Sequence, residues 1–224
     1  MGVLTALESR LAFVRRFYFT AAPPFEAIRR ECIPHDDPND DDPPVEFEKW
    51  QEATKGLEVL GQFCLSLVHK AILDYLRFFV TDKFGPDDVA RQKGGSAFDR
   101  YETLLLDRTT FRWPDSPVSR DRIEQIILCR NDFIHDSEID SSQPRQSPQH
   151  FRKHPSSRFC DPLERAVRET VATLPPPPMP DWIDGKESQD TGASLTVNRE
   201  GLLCAMTDAR EFCQFVDAQS NREP

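Results

Sequence analysis

Arg130, Asn131 and His135 fall within one stretch, SRDRIEQIILCRNDFIHD, running from Ser119 to Asp136. They are residue types that phosphate chemistry uses. An imidazole, with an unperturbed pKa of about 6.5, can take or give a proton at neutral pH. A guanidinium stays charged, and its planar fork matches two phosphate oxygens. An asparagine one helical turn before the histidine can orient its ring.

The stretch has the marks of a helix. Ser119 is a candidate N-cap, and residues 120–134 contain no Pro or Gly. Ile123, Ile126, Ile127, Phe133 and Ile134 recur at helical spacing and form one stripe. Arg130 falls on that stripe, where a guanidinium is costly unless it is paired or wetted. Glu124, Leu128, Asn131 and His135 follow one another along the neighbouring face.

The run Arg130-Asn131-Asp132-Phe133-Ile134-His135 resembles the signature of HEPN domains, small helical bundles of which many are metal-independent ribonucleases. The bare Arg-to-His spacing occurs three times, at Arg30 to His35, Arg130 to His135 and Arg145 to His150. The first ends beside an acidic tract and the third lies in a Ser/Gln/Pro-rich loop. Only the middle copy has the adjacent Asn and the apolar helical frame. The resemblance covers the region from Val45 to Ala218.

What the resemblance implies is specific. RNA carries its own nucleophile, the 2′-OH, so an enzyme needs a base for that proton and a cation for the phosphorane. His135 is then the base or acid, Arg130 the transition-state clamp, and Asn131 the group that orients the histidine or a phosphate. No metal and no cofactor is called for. One histidine cannot easily serve as both base and acid, and family members of this kind dimerise so that two motifs share a cleft. A homodimer whose seam includes the motif helix is therefore expected, with RNA as ligand. A neutralising or regulatory protein partner and a role as a toxin or in antiviral defence belong to the same resemblance. Toxin members modified by a nucleotidyltransferase carry a Tyr two residues after the His, and here that residue is Ser137. The alternative is a non-catalytic HEPN-like module that binds nucleotide or a protein through the same groove. A third possibility is an all-α interaction protein in which Arg130 and Asn131 satisfy helix-end carbonyls and His135 is a C-cap.

Charge narrows the surface such a site can use. The net charge of −10 over 224 residues argues against bulk, non-specific nucleic-acid binding. The distribution is uneven. Asp36 to Asp42 concentrates acid, whereas Ser141 to Cys160 has none and holds Arg145, Arg152, Lys153 and Arg158 with His150 and His154. Arg120 and Arg122 lie just upstream. Arg120, Arg122, Arg145, Arg152 and Lys153 are the candidate substrate contacts. The many Asp of the 35–44 tract lack the Gly and terminal Glu of a calcium loop. The six cysteines contain no C-x-x-C pair and are read as buried reduced thiols. No apolar run is long enough for a membrane span, and the N-terminus lacks a signal-peptide core. The expected setting is the cytoplasm, with no membrane association.

The elements that must position these residues are helices. The fold expected is all-α, a helical bundle of about four to six helices with long Pro-rich and acidic loops. One domain, 1–224, divides into a helical extension (1–34), a core bundle (45–136 and 198–218) and an insertion with one short helix (137–197). Leu4 to Phe19 is a first helix, with a break at Pro23-Pro24. Glu46 to Lys83 is a long helix, apolar nearly all round in its second half, with Gly56 and Gly61 marking a bend. His69 within it is read as a core or edge histidine. Ala97 to Leu106 is a short helix. Asp161-Pro162-Leu163-Glu164 looks like a capped helix start, and Pro175 to Pro178 a spacer. Ser194 to Val197 hints at strand, and Asn198 caps a last helix from Arg199 to Ala218.

Overall fold

The computed structural model describes residues 2–32, 46–91, 95–135, 147–154, 157–160, 166 and 194–220. The acidic tract 35–44, Pro175 to Pro178 and, apart from Ala166, the helix expected over Asp161 to Leu174 lie outside them. The chain is an all-α bundle. Its elements are α1 (Val3–Glu31), α2 (Phe47–Phe84), α3 (Pro86–Arg91), α4 (Ala97–Arg108), a 3-10 turn (Trp113–Asp115), α5 (Arg120–His135), α6 (Pro148–Lys153) and α7 (Arg199–Ser220).

α2 is the axis. Its 38 residues run for about 57 Å at the usual helical rise. Cys64, Leu65, Val68, Ile72, Leu76 and Val80 are all at 0 % exposure, and α1, α4, α5 and α7 all pack against it. Burying side chains of this size contributes about 2 kcal/mol each, which outweighs the cost of about 1 kcal/mol for each helical glycine. Gly56 and Gly61 therefore sit inside one continuous helix. Their role is close approach: a Cβ on Gly56 would meet the Phe25 ring at 2.5 Å, and one on Gly61 would lie 2.0 Å from the Val197 carbonyl oxygen.

α1 continues through Pro23 and Pro24, where the sequence predicts a break. Two prolines remove two backbone donors, but tertiary packing overrides local propensity. Ala22 is buried against the core and Phe25 covers Gly56. Leu7, Leu11, Val14 and Tyr18 join the same core cluster as α2 and α7, so the extension 1–34 contributes to the main core. Arg10 and Lys70 both hold the buried Asp74 carboxylate, Lys70 at 2.6 Å. The 137–197 segment is also tied in. Phe159, Cys160, Leu195 and Val197 are buried, and the strand hint at 194–197 amounts to one antiparallel bridge between Cys160 and Leu195.

An aromatic cluster closes the end of the bundle where α4, the 3-10 turn and α7 meet. Trp113 stacks on Phe212 at 5.3 Å, and Phe111 meets Trp113 edge-on at 5.0 Å. Phe13, Phe17, Val59, Phe63 and Phe78, on α1 and α2, stay exposed. The six cysteines form no disulfide among the described residues; five are buried and Cys204 is exposed.

Gly61→Ala should lower unfolding free energy by about 1–3 kcal/mol, because its new methyl meets backbone that cannot swing away. Gly56→Ala meets a ring that can rotate and should cost less. Urea unfolding of the two variants checks the order.

Candidate functional site

The motif helix begins where the sequence places it. Ser119 Oγ accepts from the Arg122 amide at 3.4 Å. Arg120 then fixes the start of α5. Its Nε and Nη2 donate to the two oxygens of Glu102 on α4 at 2.6 and 2.9 Å, and its Nη1 donates to Glu124 at 3.2 Å. Glu102 also accepts from Trp113 Nε1 at 2.7 Å. Bidentate guanidinium–carboxylate pairs are strong and directional, so this arginine anchors α5 to α4.

Ile123, Ile126 and Ile127 face the core, as their spacing predicts, and Cys129 is buried with them. Arg130 is half-buried on the same side, and its Nη1 donates to Asn131 Oδ1 at 3.2 Å. The residue that feels its charge is His69 of α2. Burial first, and then the charges of Arg130 and Lys70, lower the His69 pKa to about 4. His69 is thus a neutral, buried imidazole within the field of the motif arginine. His135 is the last residue of α5, and its side chain lies outside the described residues. Between 123 and 133 every side chain of α5 is buried or half-buried.

The candidate substrate contacts divide sharply. Arg120 is held by three carboxylates, those of Glu102, Glu124 and Asp99. Arg122 pairs with the fully buried Asp208 of α7. Lys153 donates to Glu124 at 2.6 Å. Arg145 and the side chain of Arg152 lie outside the described residues. The cationic segment therefore works in large part as an internal strap. Within a stretch that the sequence presents as loop, Pro148–Lys153 form α6. Ser147 caps it through its Oγ, and Pro148 sits in the first turn. That Ser-Pro pair is the signal that marks the helix in sequence.

α6 runs back along α5 and meets two inward carboxylates. His154 Nε2 contacts Glu124 at 3.1 Å, and His150 Nδ1 contacts Asp132 at 2.6 Å. Farther on, Arg158 joins Arg122 on Asp208 and donates to the Arg122 carbonyl at 3.0 Å. Burial pushes the Glu124 carboxyl up, but bonds from Lys153 and His154 and the charge of Arg120 outweigh it and hold it low. At Asp132 burial wins over His150 and Ser147, and the carboxyl is raised. Sequence spacing gave no reason to join His150 to Asp132, or His69 to Arg130. The His150–Asp132 contact and the charge of Arg130 acting on His69 both link residues far apart in the chain.

Because His69 titrates lower when folded, the unfolded chain binds the extra proton between pH 4 and 6.5, and stability rises with pH across that window. Its contribution is present above pH 6.5 and is lost as pH falls toward 4. Between pH 7 and pH 5 the loss should be about 2 kcal/mol. His69→Gln should flatten that slope in urea melts at the two pH values.

No protein-family model, no curated protein and no solved structure matches the chain.

Proposed function

We propose that this protein is a ribonuclease of the HEPN type, cleaving RNA at Arg130 and His135 without a metal. The observation that carries this reading is the state of the three arginines on α5. Arg120 and Arg122 are neutralised by carboxylates, whereas Arg130 has only the neutral Asn131 as a hydrogen-bond partner and no carboxylate partner among the described residues. A half-buried guanidinium with no carboxylate beside it among the described residues gains most from an anion, and a phosphate in flight between two oxygens is such an anion. Asn131 holds it in place beforehand, which limits reorganisation.

In this reaction the RNA 2′-oxygen attacks the adjacent phosphorus as His135 removes its proton. Arg130 neutralises the charge gathering on the non-bridging oxygens. The P–O5′ bond then breaks, leaving a 2′,3′-cyclic phosphate and a 5′-OH. The same reading takes the protein as a homodimer across the motif helix. A toxin or defence role, held in check by a protein partner, fits an enzyme that cuts RNA. A second reading, a groove that binds nucleotide without cutting it, is favoured by the internal pairing of Arg120, Arg122 and Lys153.

Cleavage of single-stranded RNA in EDTA tests the first reading. Wild type should yield cyclic-phosphate ends. Arg130→Met should lose about 100- to 1000-fold in rate and His135→Ala a comparable factor. Retained RNA binding with no cleavage by wild type would establish the second reading instead.

A further inference from the structure

Large apolar side chains stand exposed on one side of the α1–α2 pair. Among the described residues they are Phe13, Phe17 and Ile28 on α1, and Val59, Phe63 and Phe78 on α2. On α1, positions 10, 13, 17, 24, 28 and 31 are separated by three, four or seven residues and so share a stripe. On α2, positions 52, 59, 63, 70, 74 and 78 do the same. The helices run antiparallel, and contacts join the two stripes into one face. Phe17 meets Phe63 at 5.7 Å, Phe13 stacks on Phe17 at 6.1 Å, and Arg10 holds Asp74. The other sides of α1 are already used: Leu7, Leu11, Val14 and Tyr18 are buried in the core, and Glu8 accepts from Arg210 of α7 at 3.0 Å. Phe13, Val59 and Phe63 are nevertheless each more than half exposed.

We propose that this face is where a second copy of the chain docks, the two copies lying antiparallel about a two-fold axis that crosses the face at Phe17 and Phe63. The distribution of charge selects that occupant. On one side of the aromatic cluster, Arg10, Lys70 and Arg77 crowd round the single carboxylate of Asp74, an excess of positive charge. On the other side, Glu31, Glu46 and Glu52 line one hollow with Ile28 and a single cation, Lys49. Glu52 and Asp74 lie equally far along α2 from Phe63, in opposite directions. A two-fold axis at Phe63 exchanges the two ends. Each cationic end then covers the acidic end of the other copy, and the phenylalanines meet their own counterparts in the middle. Parallel copies would set cation on cation.

The extent of the face suits the same occupant. From Lys49 to Phe78 it is about 40 Å long at the usual helical rise and, two helices wide, about 20 Å across. That is roughly 800 Å2 on each copy, the area that a stable complex buries per partner. An exposed aromatic centre with charge at its margins is the anatomy of such an interface. The face includes no residue of α5, so this pairing is separate from one across the motif helix and holds whether or not the chain cuts RNA.

Sedimentation velocity of the full chain at micromolar concentration tests the pairing. Phe17→Asp and Phe63→Asp should each weaken it about 30-fold or more, so that the wild-type species falls to half its mass. Both side chains are exposed, so both variants should keep the wild-type helix content by circular dichroism. Glu52→Lys sets cation against cation and should weaken pairing about tenfold at low salt, a gap that added salt should narrow. Wild type at the mass of one chain overturns the proposal and leaves the face to a different protein or to a lipid surface. Both aspartate variants at the wild-type mass also overturn it, because the copies then meet elsewhere. Glu52→Lys that pairs as tightly as wild type at low salt overturns the antiparallel arrangement.

Discussion

A helix that is greasy round most of its circumference cannot stand in water, and α2 is such a helix. The rest of the bundle is arranged to cover it. α1, α4, α5 and α7 all pack against it. Two consequences follow from that demand. Glycines on α2 become contact points, because a side chain at Gly61 would collide with the Val197 backbone. And α5 is drawn inward far enough that acidic and basic residues on it are carried into partly dry surroundings.

The charges on α5 are handled in different ways. Glu124 draws an arginine, a lysine and a histidine and stays ionised. Asp208 of α7 accepts two arginines from separate segments. Such pairs gain little net stability over an apolar core, but removing one partner is expensive, so they fix which segment packs where. α6 and the 157–160 segment are held by this logic as much as by apolar contact. Asp132 and Arg130 are the exceptions. The carboxyl of Asp132 is raised in spite of its histidine, and among the described residues Arg130 has an amide and no carboxylate as hydrogen-bond partner. Imperfect compensation of that kind is common where a fold keeps charge ready for a ligand.

Periodicity made the long helices legible. The expected bounds of α2, α5 and α7 lie within two residues of those observed, because an amphipathic stripe is a local property of the chain. The Ser119 and Asn198 caps were legible for the same reason: Asn198 Oδ1 accepts from the Gly201 amide at 2.8 Å. The prolines of α1 misled, since their cost is local and its compensation, Phe25 over Gly56, is not. The candidate site was half legible. Arg130 and Asn131 could be picked out by type and frame. The groups near that stretch of α5 could not, because His69, which the charge of Arg130 reaches, belongs to α2, and His150, which contacts Asp132, belongs to α6. The positive segment was visible as charge. That Lys153 and Arg158 direct theirs inward, onto carboxylates of α5 and α7, depends on which helices become neighbours.

The distribution of thiols gives this bundle a built-in clock for its own opening. Cys204 stands in solvent on α7, while Cys64, Cys129 and Cys213 are sealed in the core, where burial pushes the Cys64 thiol up to about 11 and raises the other two well above the usual thiol range. Alkylation needs thiolate and access together. In the native protein Cys204 reacts first, at a rate set by the reagent. Each sealed thiol reacts only when its own neighbourhood comes apart: Cys64 on the central helix, Cys129 on the motif helix, Cys213 on the last. Mass spectrometry of alkylated peptides therefore separates local release of the motif helix from collapse of the whole bundle.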